Sequence, residues 1–484
     1  MRRTLRRSCA ACAKAKHKCD LQMPRCSRCA ERNYSTCVYA NQPLASATSP
    51  ITRVDSSKRF IAHKSQASEL LTLSVRIGAQ DLDPFDTYPS TSLPRIRVQG
   101  LIHHFLSKIA FQYYPLELNP SSNPFITSWW PLALADPALF HVSLQTACLD
   151  DELQAQTGFV HSQILMRDAV SLVRRKVQDP LLAFQDATMN AVITMAAIEH
   201  GMGNTEVSRI HVNAVKRMVA FRGGISNIRE SSPLTARMVP WVSMLVMGSP
   251  QFQTQDNRGI GDGICSIPEW DSLGTATHPS GTLINLDELH LDPTILDVFL
   301  RLQILFRRHE EEWSSDILST TTGLHDLTCF VLHRLLVSPS PGTNPTTISE
   351  CVRYAISTLM FIIHGRTYYS HAAILRTLVL QLRDNLELIA TSSGSQSPLL
   401  IWLLLVGMVG SVGTEAHPWF ASQAAALSAT LDLRSWSDVD RILRSILWLE
   451  TNHHTMFRQL WEPMLALSSD VPVADSLHAA VPHD

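Results

Sequence analysis

Charge is scarce in this chain: Asp, Glu, Lys and Arg make up 17% of its 484 residues, against 45% hydrophobic residues. That balance is the reverse of a disordered chain's, and at roughly 150 residues per domain it predicts two or three domains with a large buried core. Long apolar runs are missing too. The longest uncharged one, Leu399 to Val412, has 14 residues, short of the roughly 20 a spanning helix needs, so it reads as a buried core helix and no membrane partner is expected. Behind the amino-terminal MRRTLRRSCA there is no apolar stretch of a secretory leader's length, which predicts a reducing compartment.

Catalytic signatures are also lacking. No GxSxG, HExxH, Walker-type or GxGxxG sequence occurs, and Gly201-x-Gly203 has neither a third glycine nor a preceding strand. Asp150-Asp151-Glu152 begins like the magnesium-holding carboxylates of all-α terpenoid synthases. Residues 153–155 are Leu-Gln-Ala, however, and no second cluster follows, so an exposed acidic loop is expected. His103-His104 and His453-His454 are adjacent pairs, which on a helix point about 100° apart and are ill placed to share a metal. The chain is not expected to be an enzyme.

What is present is unevenly spread. Residues 1–64 hold 14 Lys and Arg against 3 Asp and Glu, an excess of +11. Residues 65–484 hold the other 27 against 40, which sums to −13. A basic head on an acidic body aims the head at a polyanion. Six of the 10 cysteines, Cys9, Cys12, Cys19, Cys26, Cys29 and Cys37, fall in that head; Cys148, Cys265, Cys329 and Cys351 are scattered. In a reducing compartment such density points to metal rather than disulfides. The spacing C-x2-C-x6-C-x6-C-x2-C-x7-C uses one half-motif twice. Two tetrahedral zinc ions need about eight ligand places, which six thiolates fill when two of them bridge, one per half. So small a segment has almost no apolar core, so metal binding must supply most of its folding free energy.

The segment SCAACAKAKHKCDLQMPRCSRCAERNYSTCVYA, with its Pro24-x-Cys26 step and Cys37-x-Tyr39 ending, resembles the fungal transcription factors with a six-cysteine, two-zinc binuclear cluster. The resemblance implies that Cys9 and Cys26 bridge, that Cys12 and Cys19 complete one zinc, and that Cys29 and Cys37 complete the other. It implies short helices after Cys9 and Cys26, the first entering the major groove of double-stranded DNA over a CGG-like triplet. Lys16 then takes the base-reading place, since lysine donates to guanine O6 and N7. Lys14, Lys18, Arg25 and Arg28 are placed for phosphates, which set affinity and salt dependence. Ala13, Ala15 and His17 interrupt the lysines where the family has a denser basic run. Arg2, Arg3, Arg6 and Arg7 make a basic arm suited to nuclear localisation or an extra phosphate grip.

Residues 41–94 are rich in Ser and Thr, show no sustained periodicity or heptads, and read as a flexible linker. From residue 95 the pattern is helical. Ile210, Ala214 and Met218, with Val215 and Val219, form an apolar stripe closed by Arg222-Gly223-Gly224. Val439, Ile442, Leu443, Ile446 and Leu447 form another, after a capping-box signature at Ser437-x-x-Asp440. Further stripes occupy 298–308, 351–363 and 372–390. Asp83-Pro84-Phe85-Asp86, the helix ending in Arg222-Gly223-Gly224, and the run from Pro398 through Trp402, Trp419, Phe420 and Trp436 resemble the same family's regulatory region. Trp402, Trp419 and Phe420 are expected as core anchors, and Arg222 as a cap or buried ion pair.

The expected architecture is a small zinc binuclear cluster domain with two short helices (1–40), a linker (41–94) and a large all-α regulatory domain (95–484). The resemblance implies a nuclear, sequence-specific regulator of RNA polymerase II transcription, serving a metabolic or biosynthetic pathway such as secondary metabolism. Its implied partners are DNA, co-regulators or the transcription machinery, and a small-molecule effector sensed by the body; monomer and homodimer both stay open. Two other classes remain: a zinc-scaffolded interaction protein that does not touch DNA, and a metal-dependent enzyme.

Overall fold

The computed structural model describes residues 10–16, 27–32 and 88–469, apart from 157, 257–260, 274–288, 312–319, 338–345, 370, 393–397 and 451–452. It falls into two compact units, Met1–Ile77 and Gly78–Asp484.

In the first unit two five-residue helices, α1 (Ala10–Lys14) and α2 (Ser27–Glu31), pack on each other. In the second, the chain enters through Tyr88, whose ring stacks on Phe140 at 5.7 Å, so residues 88–94 already lie against the helical body. The helix α3 (Arg95–His104) runs through a π-helical turn, Phe105–Ile109, into α4 (Ala110–Tyr113). A second π turn, Phe125–Trp129, leads into α5 (Trp130–Ala135).

Then follow α6 (Pro137–Ala155), α7 (Val160–Gln178), α8 (Asp186–Gly201), α9 (Thr205–Phe221), α10 (Gly224–Ser231) and α11 (Pro233–Met247). After a loop come the short α12 (Pro268–Ser272), α13 (Pro293–Glu311), α14 (Thr321–Leu335), α15 (Thr347–His364) and α16 (Ala372–Ser392). The last helices are α17 (Pro398–Gly410), α18 (His417–Thr430), α19 (Trp436–Ile446) and α20 (His454–Ser469).

Local chemistry sets several helix ends. Asp136 caps α6 by accepting the Ala138 and Leu139 N–H groups at 3.0 Å, with Pro137 preorganised behind it. Gln156, Gly223 and Gly248 close α6, α9 and α11 in the left-handed region. Helix α17 is apolar nearly all round and buried, and α8 and the first three turns of α6 are buried on every side. The run from Leu399 accordingly sits inside the protein, with Trp402 Nε1 donating to the Leu447 carbonyl at 2.8 Å and Phe420 fully buried. No helix among the described residues is long and apolar enough to cross a membrane.

Three sequence expectations need correction. The stripe on α9 is rotated: Ile210 is 58% exposed, and the covered face is Ser208, Val212, Val215, Met218 and Val219. The capping box of α19 lies two residues upstream, at Ser435 and Asp438, with the Asp438 carboxylate accepting the Ser435 N–H at 3.1 Å. The acidic run Asp150-Asp151-Glu152 is not a loop but the last turns of α6. Within the helical body Thr254–Gln255 and Ile264–Cys265 pair as two-residue parallel strands, β1 and β2.

Candidate nucleic-acid interface

The two helices of the head begin at equivalent points of the repeated half-motif. Ala10 opens α1 directly after Cys9, and Ser27 opens α2 directly after Cys26. In each, the third residue is a cysteine, Cys12 or Cys29, and each is 2% exposed. Among the described residues of this unit the other side chains are exposed or half-buried, so the buried groups among them are the two sulfurs. Cysteine thiolates are the donor set a structural zinc takes, and this burial fits such a group. Cys9, Cys19, Cys26 and Cys37 lie outside the described residues, as do Lys18 and Arg25.

The basic residues face outward. Lys14 ends α1 and is exposed; Ala15 N–H still donates to the Ala11 carbonyl at 3.1 Å. Lys16 follows with φ 55°, left-handed backbone that lysine seldom adopts, and it too is exposed. Its side chain therefore leaves beyond the helix end rather than from the helix side. Arg28 is half-buried on α2. The arrangement is two buried thiols behind an outward basic rim.

In the body, the residues singled out for chemistry are held in structural contacts. His104 Nε2 meets Asp150 at 2.7 Å and its Nδ1 meets Asp151 at 2.9 Å, while Arg97 pairs with Asp151 at 3.0 Å. Burial works to raise the Asp150 pKa; hydrogen bonds from Lys108 at 2.5 Å, Gln154 and His104 outweigh it and hold the carboxyl below its usual range. Glu152 is buried and accepts the His161 N–H at 2.8 Å at the start of α7. These carboxylates are spent on cations and on a helix terminus, and Asp150 and Asp151 offer no paired site for a metal. Arg222 donates to the Phe184 carbonyl at 2.8 Å, to Asp186 at 3.2 Å and to Ser231 at 2.9 Å, which ties the end of α9 to the start of α8. Beyond Arg222, Gly224 has no room for a side chain, because the Asp262 carbonyl sits 2.3 Å from where a Cβ would be.

Sequence reading missed a polar core. Asp326, 7% exposed, is clamped by Arg229 at 2.7 Å and by Arg237 at 2.8 and 2.9 Å. One helical step away, His325 Nδ1 contacts His364 Nε2 at 2.9 Å, and Trp241 stacks on His364 at 4.2 Å. Burial, with Arg237 and Arg229 adding to it, drives the His325 pKa down to about 3. No motif surrounds these residues, which come from four different helices.

Residues 7–46 match the family described as the fungal Zn(2)-Cys(6) binuclear cluster domain. Residues 100–249, α3 through the end of α11, match the fungal specific transcription factor domain. No curated protein matches the chain, and no solved structure does. The run from Pro398 to Trp436 lies outside both matched segments, and Asp83-Pro84-Phe85-Asp86 lies outside the described residues. The chain thus carries a fungal zinc binuclear cluster domain, of a family whose cluster binds two zinc ions, and a fungal specific transcription factor domain, a pairing that indicates a regulatory DNA-binding protein rather than an enzyme.

Proposed function

We propose that the chain is a nuclear, sequence-specific regulator of RNA polymerase II transcription whose head reads CGG-like triplets. Cys9, Cys12, Cys19, Cys26, Cys29 and Cys37 hold the two zinc ions, with Cys9 and Cys26 bridging. When bound, the metals supply the fold of a head that lacks hydrocarbon to bury. The observation that carries the reading is the repeated geometry of Cys12 and Cys29, buried on equivalent short helices behind an exposed basic rim.

Lys16, released from the helix end, reaches the paired acceptors of guanine, a pattern no other base presents in the major groove. Lys14, Lys18, Arg25 and Arg28 grip phosphates and fix the register. Residues 1–40 form the head, 41–94 the linker, whose last residues from Tyr88 onward are laid against the body, and 95–484 the regulatory body, which senses a small molecule or a partner and controls a metabolic or biosynthetic pathway.

Selection from a random DNA pool by the zinc-loaded full chain tests this, with Cys26→Ala as control. An enriched CGG-like triplet that the control loses supports the reading, and its occurrence singly or in pairs separates monomer from homodimer. A pool that stays random would leave the cluster as a protein-binding scaffold and overturn it.

A further inference from the structure

The body contains a cavity of about 380 Å³ that the DNA-reading head does not use. That volume lies within the range of about 300–1,000 Å³ typical of small-molecule sites. Its wall is mostly hydrocarbon and rings: Leu149 and Leu153 of α6, Ala197 of α8, Leu245 and Val246 of α11, and Tyr368. Thr367–Tyr369, between α15 and α16, closes the side opposite α8 in sequence, so the cavity joins helices of the matched regulatory segment to the carboxy-terminal half of the body.

The polar groups at the wall divide sharply into satisfied and unsatisfied. Asp150 is already held by Lys108, His104 and Gln154. The Tyr368 hydroxyl donates to the Thr146 carbonyl at 2.9 Å, and the Tyr369 hydroxyl shares a hydrogen bond with Tyr113 at 2.6 Å. Gln112 differs. Its backbone carbonyl accepts the Tyr368 N–H at 2.8 Å, but its side-chain oxygen is buried and has no hydrogen-bond partner. Leaving such an acceptor unmet costs about 1–3 kcal/mol. Gln112 sits three residues past the π turn Phe105–Ile109, a local widening of the helix of a kind that recurs at functional sites.

We propose that this cavity binds a small uncharged ring compound carrying one hydrogen-bond donor, which the Gln112 side-chain oxygen accepts. The proposal rests on the sensing role given to the body above and identifies where sensing occurs. An anion is disfavoured because the Asp150 carboxylate stands at the wall with its cations already paired, and the one imidazole there, His200, is exposed to solvent. A rigid ring fits hydrocarbon walls, and the buried open acceptor of Gln112 selects a donor such as a hydroxyl or a ring N–H.

The test is calorimetric titration of the full chain, without DNA, with indole, N-methylindole and indole acetate. Indole should bind about tenfold more tightly than N-methylindole, which lacks the donor, and the carboxylate should not bind. Gln112→Leu should remove the tenfold preference while leaving the ring's binding, and Ala197→Trp should abolish binding by filling the cavity. Should Ala197→Trp not fold by circular dichroism, Leu153→Trp, at the half-exposed rim, replaces it. Equal affinity for indole and N-methylindole, a preference that survives Gln112→Leu, unchanged binding in the folded filling variant, or no binding of any probe would each overturn the proposal. Because no DNA is present, this result stands or falls independently of triplet selection by the head.

Discussion

Lys14 and Lys16 are two residues apart and equally exposed, yet the backbone gives them different tasks. Lys14 belongs to the last turn of α1, whereas Lys16 has left the helix with φ 55°. A side chain at that exit can address a base edge, while one on the helix side runs along the sugar-phosphate backbone. Lys16→Ala should therefore relax the choice of triplet with little change in salt dependence. Lys14→Ala should weaken all sequences alike and flatten the slope of log affinity against log salt by about 0.9. Binding isotherms on matched and mismatched duplexes at several salt concentrations distinguish the two; equal losses on every sequence for both variants would remove the base-reading assignment. At the same scale, Asp326 is the carboxylate that, among the described residues, faces both Arg229 and Arg237. Its hydrogen bond to Arg237 outweighs the burial that would lower that guanidinium's pKa, leaving it raised. Asp326→Ala strands two cations in a largely dry site and should cost about 3 kcal/mol in denaturant unfolding. A loss under 1 kcal/mol would show that solvent reaches the pair.

Among elements, the crossing of α17 and α18 depends on one absent side chain. A Cβ on Gly407 would lie 2.2 Å from the Phe420 ring, and Phe420 is fully buried. Gly407→Ala should therefore destabilise the body by about 1–3 kcal/mol, whereas Gly413→Ala, with nothing within 4 Å, carries only its backbone strain at φ 80°. Parallel denaturation curves check the difference, and equal midpoints would mean that the helices slide apart at no cost. Helices were legible in the sequence because period and caps are local, but which face is covered is not. Helix α9 carries apolar residues beyond its covered face, and Ile210, exposed in line with the half-buried Ala214 and the buried Met218, made the stripe look centred one step away. The capping box was misplaced for a related reason: Ser435 and Ser437 each precede an aspartate by three, and only Ser435 has extended backbone with ψ 156°. Asp150 and Asp151 read as a loop because their cations lie some 40 to 55 residues back in the chain, on α3 and the π turn.

Over the whole molecule the same contrast separates the metal motif from the cavity. Six cysteines within 29 residues announce their chemistry in one line of sequence, whereas Gln112, Leu149, Ala197, Leu245 and Tyr368 meet only after folding. The buried histidines are equally illegible one by one, and their consequence is global. Burial holds the pKa of His325 at about 3 and those of His333 and His371 at about 4, and it puts His364 well below the ordinary value. Arg237 and Arg229 add to the effect at His325, Arg366 at His371, and the neighbouring His325 and His371 at His364. In the folded body all four are neutral at pH 5; in the unfolded chain they titrate near 6.5. Below that pH the unfolded state binds more protons, so stability falls as pH falls, by up to about 1.4 kcal/mol per pH unit for each histidine. Above pH 7 the four add no slope. Carboxylates titrate lower, and burial lowers His211 and His453 in the same direction, so the window from pH 6.5 to 5 belongs to the buried histidines, these four foremost. Denaturant unfolding of the full chain should show a midpoint that is level from pH 8 to 7 and drops steeply from 6.5 to 5. His364→Leu, which keeps an apolar group beneath Trp241, should lessen that drop by about one proton's worth. A midpoint unchanged between pH 7 and 5 would mean that the histidines take up protons inside the fold, and that the core around Trp241 admits water.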